Sequence, residues 1–308
     1  MAEWYGVGLQ NRISRVRFPL RPPMRNAFAK SLAEAALADE RIVVLAADIS
    51  PAGPMADFAK EFPRRFINVG VAEQVMIGMA AGLALKGLKP FCYTIATFAL
   101  YRPFEFIRDD LAYQGLPVTV VGMGSGLNYS TLGGTHQAIE DVAVASAIPG
   151  MQVLAPCDPR ETEECVRWCA VQQSGPVYLR IGKSGESDLT YRKSAEPWEF
   201  GKLRKIKDGW PSVATLVYGP IAEKAYEGDN LYSCHTLKPL DRDGIETLLR
   251  RYQYLRVIEE HVCFLGDRVK AIAYEIGAKC QVHSVHLKDE FMHYYGSRSE
   301  LLEKHGFD

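Results

Sequence analysis

The chain has 308 residues, 47% of them hydrophobic and 24% charged, with a net charge of −1. That length suffices for about two domains with cores of their own. The near-neutral balance offers no basic excess to neutralise phosphates, which argues against nucleic acid as the main partner, and the longest apolar run, residues 75–85, is too short and too rich in Gly and Ala to span a bilayer.

In chain order, residues 1–24 carry most of the stretch "NRISRVRFPLRPPMR", with five Arg between 12 and 25 and no apolar signal-peptide core, and read as an irregular arm. "RNAFAKSLAEAALADE" (25–40) reads as a helix and "RIVVLAAD" (41–48) as a buried strand. In "FINVGVAEQVMIGMAAGLALKG" (66–87) a helix with no polar residue from 75 to 85 is led by one carboxylate, Glu73. A helix apolar on every side is expected to be buried, and a carboxylate at its mouth is costly to desolvate without a partner. Complementing the helix dipole would be worth only about 0.3–1 kcal/mol. Strands at 90–95, 117–124, 151–159 and 176–183 then alternate with helices at 98–115 (in spite of Pro103), 137–150 and 160–175. Residues 184–212 lose this rhythm and read as a linker, after which strands at 213–219, 230–237, 254–260 and 281–287 are separated by helices. The alternation predicts an α/β fold of two domains, each a mostly parallel sheet with helices on both faces.

The seven Cys are odd in number and contain no CxxC pair; Cys165 and Cys169 lie four apart without a matching His. Zinc is therefore not expected, and reduced thiols in the cytoplasm are. "GMGSG" (122–126) lacks the spacing of a dinucleotide-binding turn and runs into the loop "LNYSTLGGTHQ". A long loop after a parallel strand is where open α/β sheets place ligands. It ends on His136, whose glycine neighbours allow close backbone approach.

Together the segments "FINVGVAEQVMIGMAAGLALKGLKPFCYTIATFALY", "GGTHQAIEDVAVASAIPGMQVLAPCDPRET" and "GPVYLRIGK" resemble, in order and spacing, the pyrimidine-binding domain of transketolases. The later "SCHTLKPLD" (233–241), "VIEEH" (257–261) and "YYGSRSELLEKHGFD" (294–308) resemble the transketolase C-terminal domain. The resemblance implies an N-terminal arm at 1–24, a pyrimidine-binding domain at 25–190 and a transketolase C-terminal-like domain at 195–308. The family's diphosphate-binding domain, with its Gly-Asp-Gly and metal-holding Asn, has no counterpart; "DGW" (208–210) and "GDN" (228–230) stand alone. The chain thus looks like the C-terminal subunit of a split transketolase. Its implied partner is a separate diphosphate-binding N-terminal subunit in an α2β2 heterotetramer. Thiamine diphosphate is the implied cofactor, with Mg²⁺ (or Ca²⁺) held by the partner and no metal ligand in this chain.

The resemblance implies roles residue by residue. Glu73, in Gly70-Val71-Ala72-Glu73, bonds to N1′ of the aminopyrimidine and favours the imino form needed to take the thiazolium C2 proton. Phe98 and Tyr101 match aromatic residues around the pyrimidine, Ile95 stands where the family often has Phe, and Asp48 matches an Asp of the cofactor interface. Equally, the aromatic pair would serve as core and Asp48 as a helix cap. His136 matches a catalytic, substrate-contacting His, and Arg25 and Lys183 match positions that hold the sugar phosphate, Lys183 in place of an Arg. Leu132 stands where an Asp contacts a substrate hydroxyl, Gly124 where sugar transketolases have a His, and Ala52 near a phosphate-binding Ser. Leu132 and Gly124 remove two polar contacts and predict a roomier, more apolar substrate channel. The expected activity is transfer of a two-carbon ketol unit from a ketose phosphate to an acceptor, either of them non-standard. Two alternatives stand beside it: the β subunit of a 2-oxo acid dehydrogenase E1 component, against which "GGTHQAIED" and the C-terminal tail argue, and a catalytically silent assembly subunit.

Overall fold

A computed structural model describes residues 23–49, 54–172, 174–183, 185–190 and 195–307. All of the arm except residues 23 and 24, and also Ala52, lie outside the described residues. The first half runs α1 (Met24–Ala38), β1 (Ile42–Ala46), α2 (Pro54–Glu61), β2 (Phe66–Asn68), α3 (Glu73–Leu85) and β3 (Lys89–Ile95). It continues through α4 (Ala96–Leu100), α5 (Phe104–Phe106), β4 (Thr119–Met123), α6 (Asp141–Ala147), β5 (Gln152–Leu154), α7 (Pro159–Val171) and β6 (Val177–Ile181). The second half comprises β7 (Arg204–Lys207), β8 (Val213–Val217), β9 (Asn230–Ser233), β10 (Thr236–Lys238), α8 (Arg242–Arg251), β11 (Tyr254–Val262), α9 (Leu265–Glu275), β12 (Gln281–Leu287) and α10 (Arg298–Lys304).

Two mostly parallel sheets result. The first has the order β10-β5-β6-β4-β3-β1-β2, with only β10 antiparallel, and the second β12-β11-β8-β9-β7, with only β7 antiparallel. Strands β1, β4 and β6 are buried at every position, as Val- and Ile-rich strands covered on both faces require. The antiparallel edges depart from the sequence reading. The linker-like stretch supplies β7, whose Arg204 and Ile206 point inward and are buried. The single strand expected at 230–237 is split, and its second part crosses over to extend the first sheet.

Two further departures matter for the site. The helix expected over 98–115 breaks at Tyr101–Pro103 and resumes as α5 and a π-helical turn, Ile107–Ala112. Pro103 has no N–H to give and disfavours a helical Arg102 before it. Helix α3 buries Glu73, Met76, Ile77, Ala80, Ala81 and Ala84, but Val71, Val75, Met79 and Leu85 are exposed. Within one chain the all-apolar helix is covered on one face only, so the expectation of full burial fails here. An exposed apolar stripe of this kind marks an interaction surface.

The sheets are locked together by buried ions. Arg180, on β6, pairs with Asp141 at 2.9 Å and donates to the carbonyls of Ala138 and Glu260, while Tyr178 donates to Asp141 at 2.8 Å. Glu260, on β11, is held by Arg298 and accepts the Leu127 N–H at 2.7 Å, so the second sheet grips the loop between β4 and α6. That loop is closed at its neck by two 3.0 Å backbone bonds between Gly126 and Ala138. With Arg180 and Asp141 exposed by 1% and 0%, removal of one partner leaves a buried charge without compensation. Asp141→Ala is expected to cost about 3–5 kcal/mol in urea unfolding. Arg167→Ala, whose pairs with Glu163 and Glu164 lie at the surface, should cost less than about 1 kcal/mol. Equal small losses in both variants would contradict the buried lock.

Candidate active site

The site residues gather at the C-terminal ends of β1, β2, β3 and β4, the ligand-binding edge of an open parallel sheet. Asp48 follows β1 in a left-handed conformation, φ 56°, which Asp tolerates better than most residues. The Asn68 carboxamide oxygen accepts the N–H groups of Asp48 (3.2 Å) and Gly70 (2.9 Å), tying the ends of β1 and β2 together. Three residues after Gly70 the chain enters α3 at Glu73, whose side chain is 4% exposed. Arg102 Nη1 donates to its Oε1 at 2.7 Å. The same guanidinium lies 3.7 Å from the ring centroid of Phe98. Arg102 sits in the turn that Pro103 forces, and Gln74 on α3 donates to its carbonyl at 3.3 Å.

From Phe98 the contacts continue into the substrate side. His136 meets the Phe98 ring edge-on at 5.0 Å and the Tyr129 ring at 5.9 Å, and its Nδ1 shares a hydrogen bond with Thr135 Oγ1. Burial lowers the His136 pKa, and the nearby Arg102 cation lowers it further, so the imidazole is neutral at pH 7. Lys183 Nζ stands 4.2 Å from the Tyr129 ring centroid, and the Lys183 N–H donates to Asn128 Oδ1. Burial raises the Tyr129 phenol while the positive charge of Arg25 opposes it, which places Arg25 at this basic end too. Arg25 Nε is buried without a hydrogen-bond partner. Burial also raises the Glu186 carboxyl, which accepts the Met24 N–H beside it.

Glu73, Phe98, His136, Lys183 and Arg25 are thus brought into one continuous set. Ile95 is half-buried at the end of β3. Tyr101 packs against the core and its phenol is raised by burial and by the carboxylates of Asp141 and Glu140, so its hydroxyl turns toward α6. Leu132, 49% exposed, closes a short 3-10 turn at the rim. Gly124 does not leave the hollow that its small size suggests. A Cβ there would come 2.2 Å from Tyr129 Cε2, so the Tyr129 ring already fills that space. The sequence reading took position 124 as open space, and Tyr129 occupies it. Arg102, Tyr129 and Glu260 do not stand out as site residues in the sequence. Pro103 after Arg102 and an aromatic residue inside a glycine-rich loop were the available signals.

A buried carboxylate beside an aromatic face suits a flat heteroaromatic ring with a protonatable nitrogen, which is what the aminopyrimidine of thiamine diphosphate presents. Among the described residues no group of three or more His, Cys, Asp or Glu is placed to hold a metal ion. Nor is any described helix long and apolar enough to cross a membrane.

The family model for the transketolase pyrimidine-binding domain matches residues 21–185. A putative transketolase C-terminal section from Methanocaldococcus jannaschii is 35% identical, the alignment covering 92% of each chain. One of the subunits of an apulose-4-phosphate transketolase from Phocaeicola vulgatus is 30% identical, over 92% of this chain and 93% of its own. Among solved structures, a split-gene transketolase described as an inactive β4 tetramer is similar at 34% identity and a TM-score of 0.80, covering 93% of this chain and 94% of that one. A chain that carries the pyrimidine domain over more than half its length, and matches split-gene relatives nearly end to end, belongs to the transketolase family.

Proposed function

We propose that the chain is the pyrimidine-binding, C-terminal subunit of a two-chain, thiamine diphosphate-dependent transketolase-like enzyme. It would transfer a two-carbon ketol unit from a ketose phosphate to an acceptor. The observation that carries this reading is Glu73: a buried carboxylate at the mouth of an apolar helix, joined through Arg102 to the Phe98 face. When bound, thiamine diphosphate supplies the carbanion chemistry of the transfer. Glu73 holds a proton at the pyrimidine N1′, where a dry setting makes a shared proton most effective. Ile95, Phe98 and the Tyr101 ring shape the pocket for the pyrimidine, and Asp48 borders it. His136, neutral at pH 7, contacts the substrate and moves protons at its hydroxyl groups, while Lys183 and Arg25 attract the phosphate. Leu132 puts an apolar side chain at the channel rim.

In this reading residues 25–190 form the pyrimidine-binding unit and residues 195–308 the C-terminal-like unit. A partner chain supplies the diphosphate site and its Mg²⁺ or Ca²⁺ in an α2β2 assembly. The exposed face of α3 supports this. Val71, Val75 and Met79 lie beside Gly78 and Gly82, where an added Cβ would meet nothing within 4 Å, leaving a smooth apolar strip for a neighbouring chain. The β4 relative, inactive as a single kind of chain, points the same way. The described cysteines are all free, which favours the cytoplasm. Calorimetry with magnesium should show weak thiamine diphosphate binding by this chain alone and tight binding once the diphosphate-binding chain is added. Tight binding by the isolated chain would contradict the shared site.

The Tyr129 wall gives the specificity expectation a physical cause. A polyhydroxylated chain lying against an aromatic ring and Leu132 leaves buried hydroxyl groups without partners, and each unmade bond weakens the fit. The reconstituted enzyme is therefore expected to turn over xylulose 5-phosphate with ribose 5-phosphate poorly and to prefer another donor or acceptor in a panel screen. Turnover of that pair at ordinary transketolase rates would show that Gly124, Tyr129 and Leu132 do not govern selection.

A further inference from the structure

The Arg102 guanidinium makes two contacts at once, a hydrogen bond to the buried carboxylate of Glu73 and a contact over the face of Phe98. These are the two contacts assigned above to the cofactor's pyrimidine ring. We propose that Arg102 is a placeholder for that ring: it fills the pyrimidine position in the cofactor-free protein and has to swing out before thiamine diphosphate seats. The proposal rests on the reading of Glu73 and Phe98 as pyrimidine-binding residues.

The shape of the side chain suits this role. A guanidinium is flat and delocalised, donates N–H groups in its own plane and stacks on aromatic faces. An aminopyrimidine ring held by the same two residues shares that flat outline and edge-on bonding. Both cannot occupy the face of Phe98 at 3.7 Å together with the Glu73 oxygen at 2.7 Å. Without Arg102 the cofactor-free protein would hold a desolvated carboxylate with no countercharge, which is strongly destabilising. The placeholder therefore protects the fold until the cofactor takes over the contact.

The route out is also visible. The Arg102 side chain is 42% exposed while its carboxylate partner is 4% exposed, so the cation sits on the solvent side and leaves without unpacking the core. Its backbone stays anchored, because Gln74 holds the carbonyl and Pro103 fixes the turn. Rotation about the side-chain bonds is enough. The exchange has a consequence for affinity. Any state in which Arg102 occupies the site is not competent to bind, and apparent affinity falls by the fraction that is competent.

The test compares wild type with Arg102→Met and Arg102→Lys, each assembled with the diphosphate-binding chain. Thiamine diphosphate affinity is measured by calorimetry with magnesium, and the melting midpoint is measured with and without cofactor. Methionine removes the placeholder. Arg102→Met is expected to bind thiamine diphosphate about 10-fold more tightly, a change equivalent to about 1.4 kcal/mol. Its cofactor-free form should melt several degrees lower, and saturation with cofactor should abolish most of that difference. Lysine keeps the charge without the flat fork, so Arg102→Lys should lie between the two. If Arg102→Met does not fold, tighter binding by Arg102→Lys than by wild type still supports the placeholder. Unchanged or weaker binding in the variants that fold overturns it, weaker binding marking Arg102 as a cofactor ligand instead. Failure of wild type and variants alike to bind thiamine diphosphate overturns the functional reading, and the placeholder with it.

Discussion

Glu73 has been taken almost wholly out of water, and the rest of the site is organised around compensating that carboxylate and presenting it. Its place is set by backbone, since Asn68 fastens the ends of β1 and β2 and Gly70 (φ 72°) turns the chain into α3. Its charge is met by Arg102, which Pro103 keeps out of a continuous helix. A fully solvated glutamate would have no need of such support. The arrangement makes sense only where a low local dielectric magnifies whatever bonds to the carboxylate.

The substrate side is built differently, from a loop that the second sheet holds in place. Glu260 reaches across to the Leu127 N–H, and a side chain at Gly126 would run into that carboxyl, its Cβ 2.8 Å from Glu260 Cδ. Arg180 ties the same strand, through the Glu260 carbonyl, to Asp141 at the head of α6. The second sheet is therefore part of the site's framework although it carries none of the proposed site residues. Inside this loop one steric exchange has taken place: Tyr129 takes the volume that a side chain at position 124 would need.

Much of this was legible in the sequence because it rests on local pattern. Runs such as "RIVVLAAD" and "PVTVVGMG" can be little else than buried parallel strands, and the alternation with helices leads directly to the two sheets. Glu73 stood out because one charge preceded eleven residues, 75–85, without a polar side chain. What escaped was whatever depends on distant partners. Residues 204–207 look like linker because their pairing with β9 is antiparallel and only two of the four are buried. The exposure of Val75 and Met79 was hidden because an apolar helix reads the same whether its cover comes from its own chain or another. Tyr129 and Arg102 escaped because neither type of residue announces a role until the fold shows which ring or carboxylate it faces.

In the proposed function Glu73 acts on the cofactor and does more than complement a helix end. The most direct test is the exchange rate of the thiazolium C2 proton of bound thiamine diphosphate, followed by NMR in deuterated water in the assembled complex. Glu73→Gln preserves shape and hydrogen bonding and removes the proton-sharing acid. Exchange slower by roughly 10²–10⁴-fold is expected, the range for a positioned proton-transfer group. An exchange rate equal to that of wild type would contradict it.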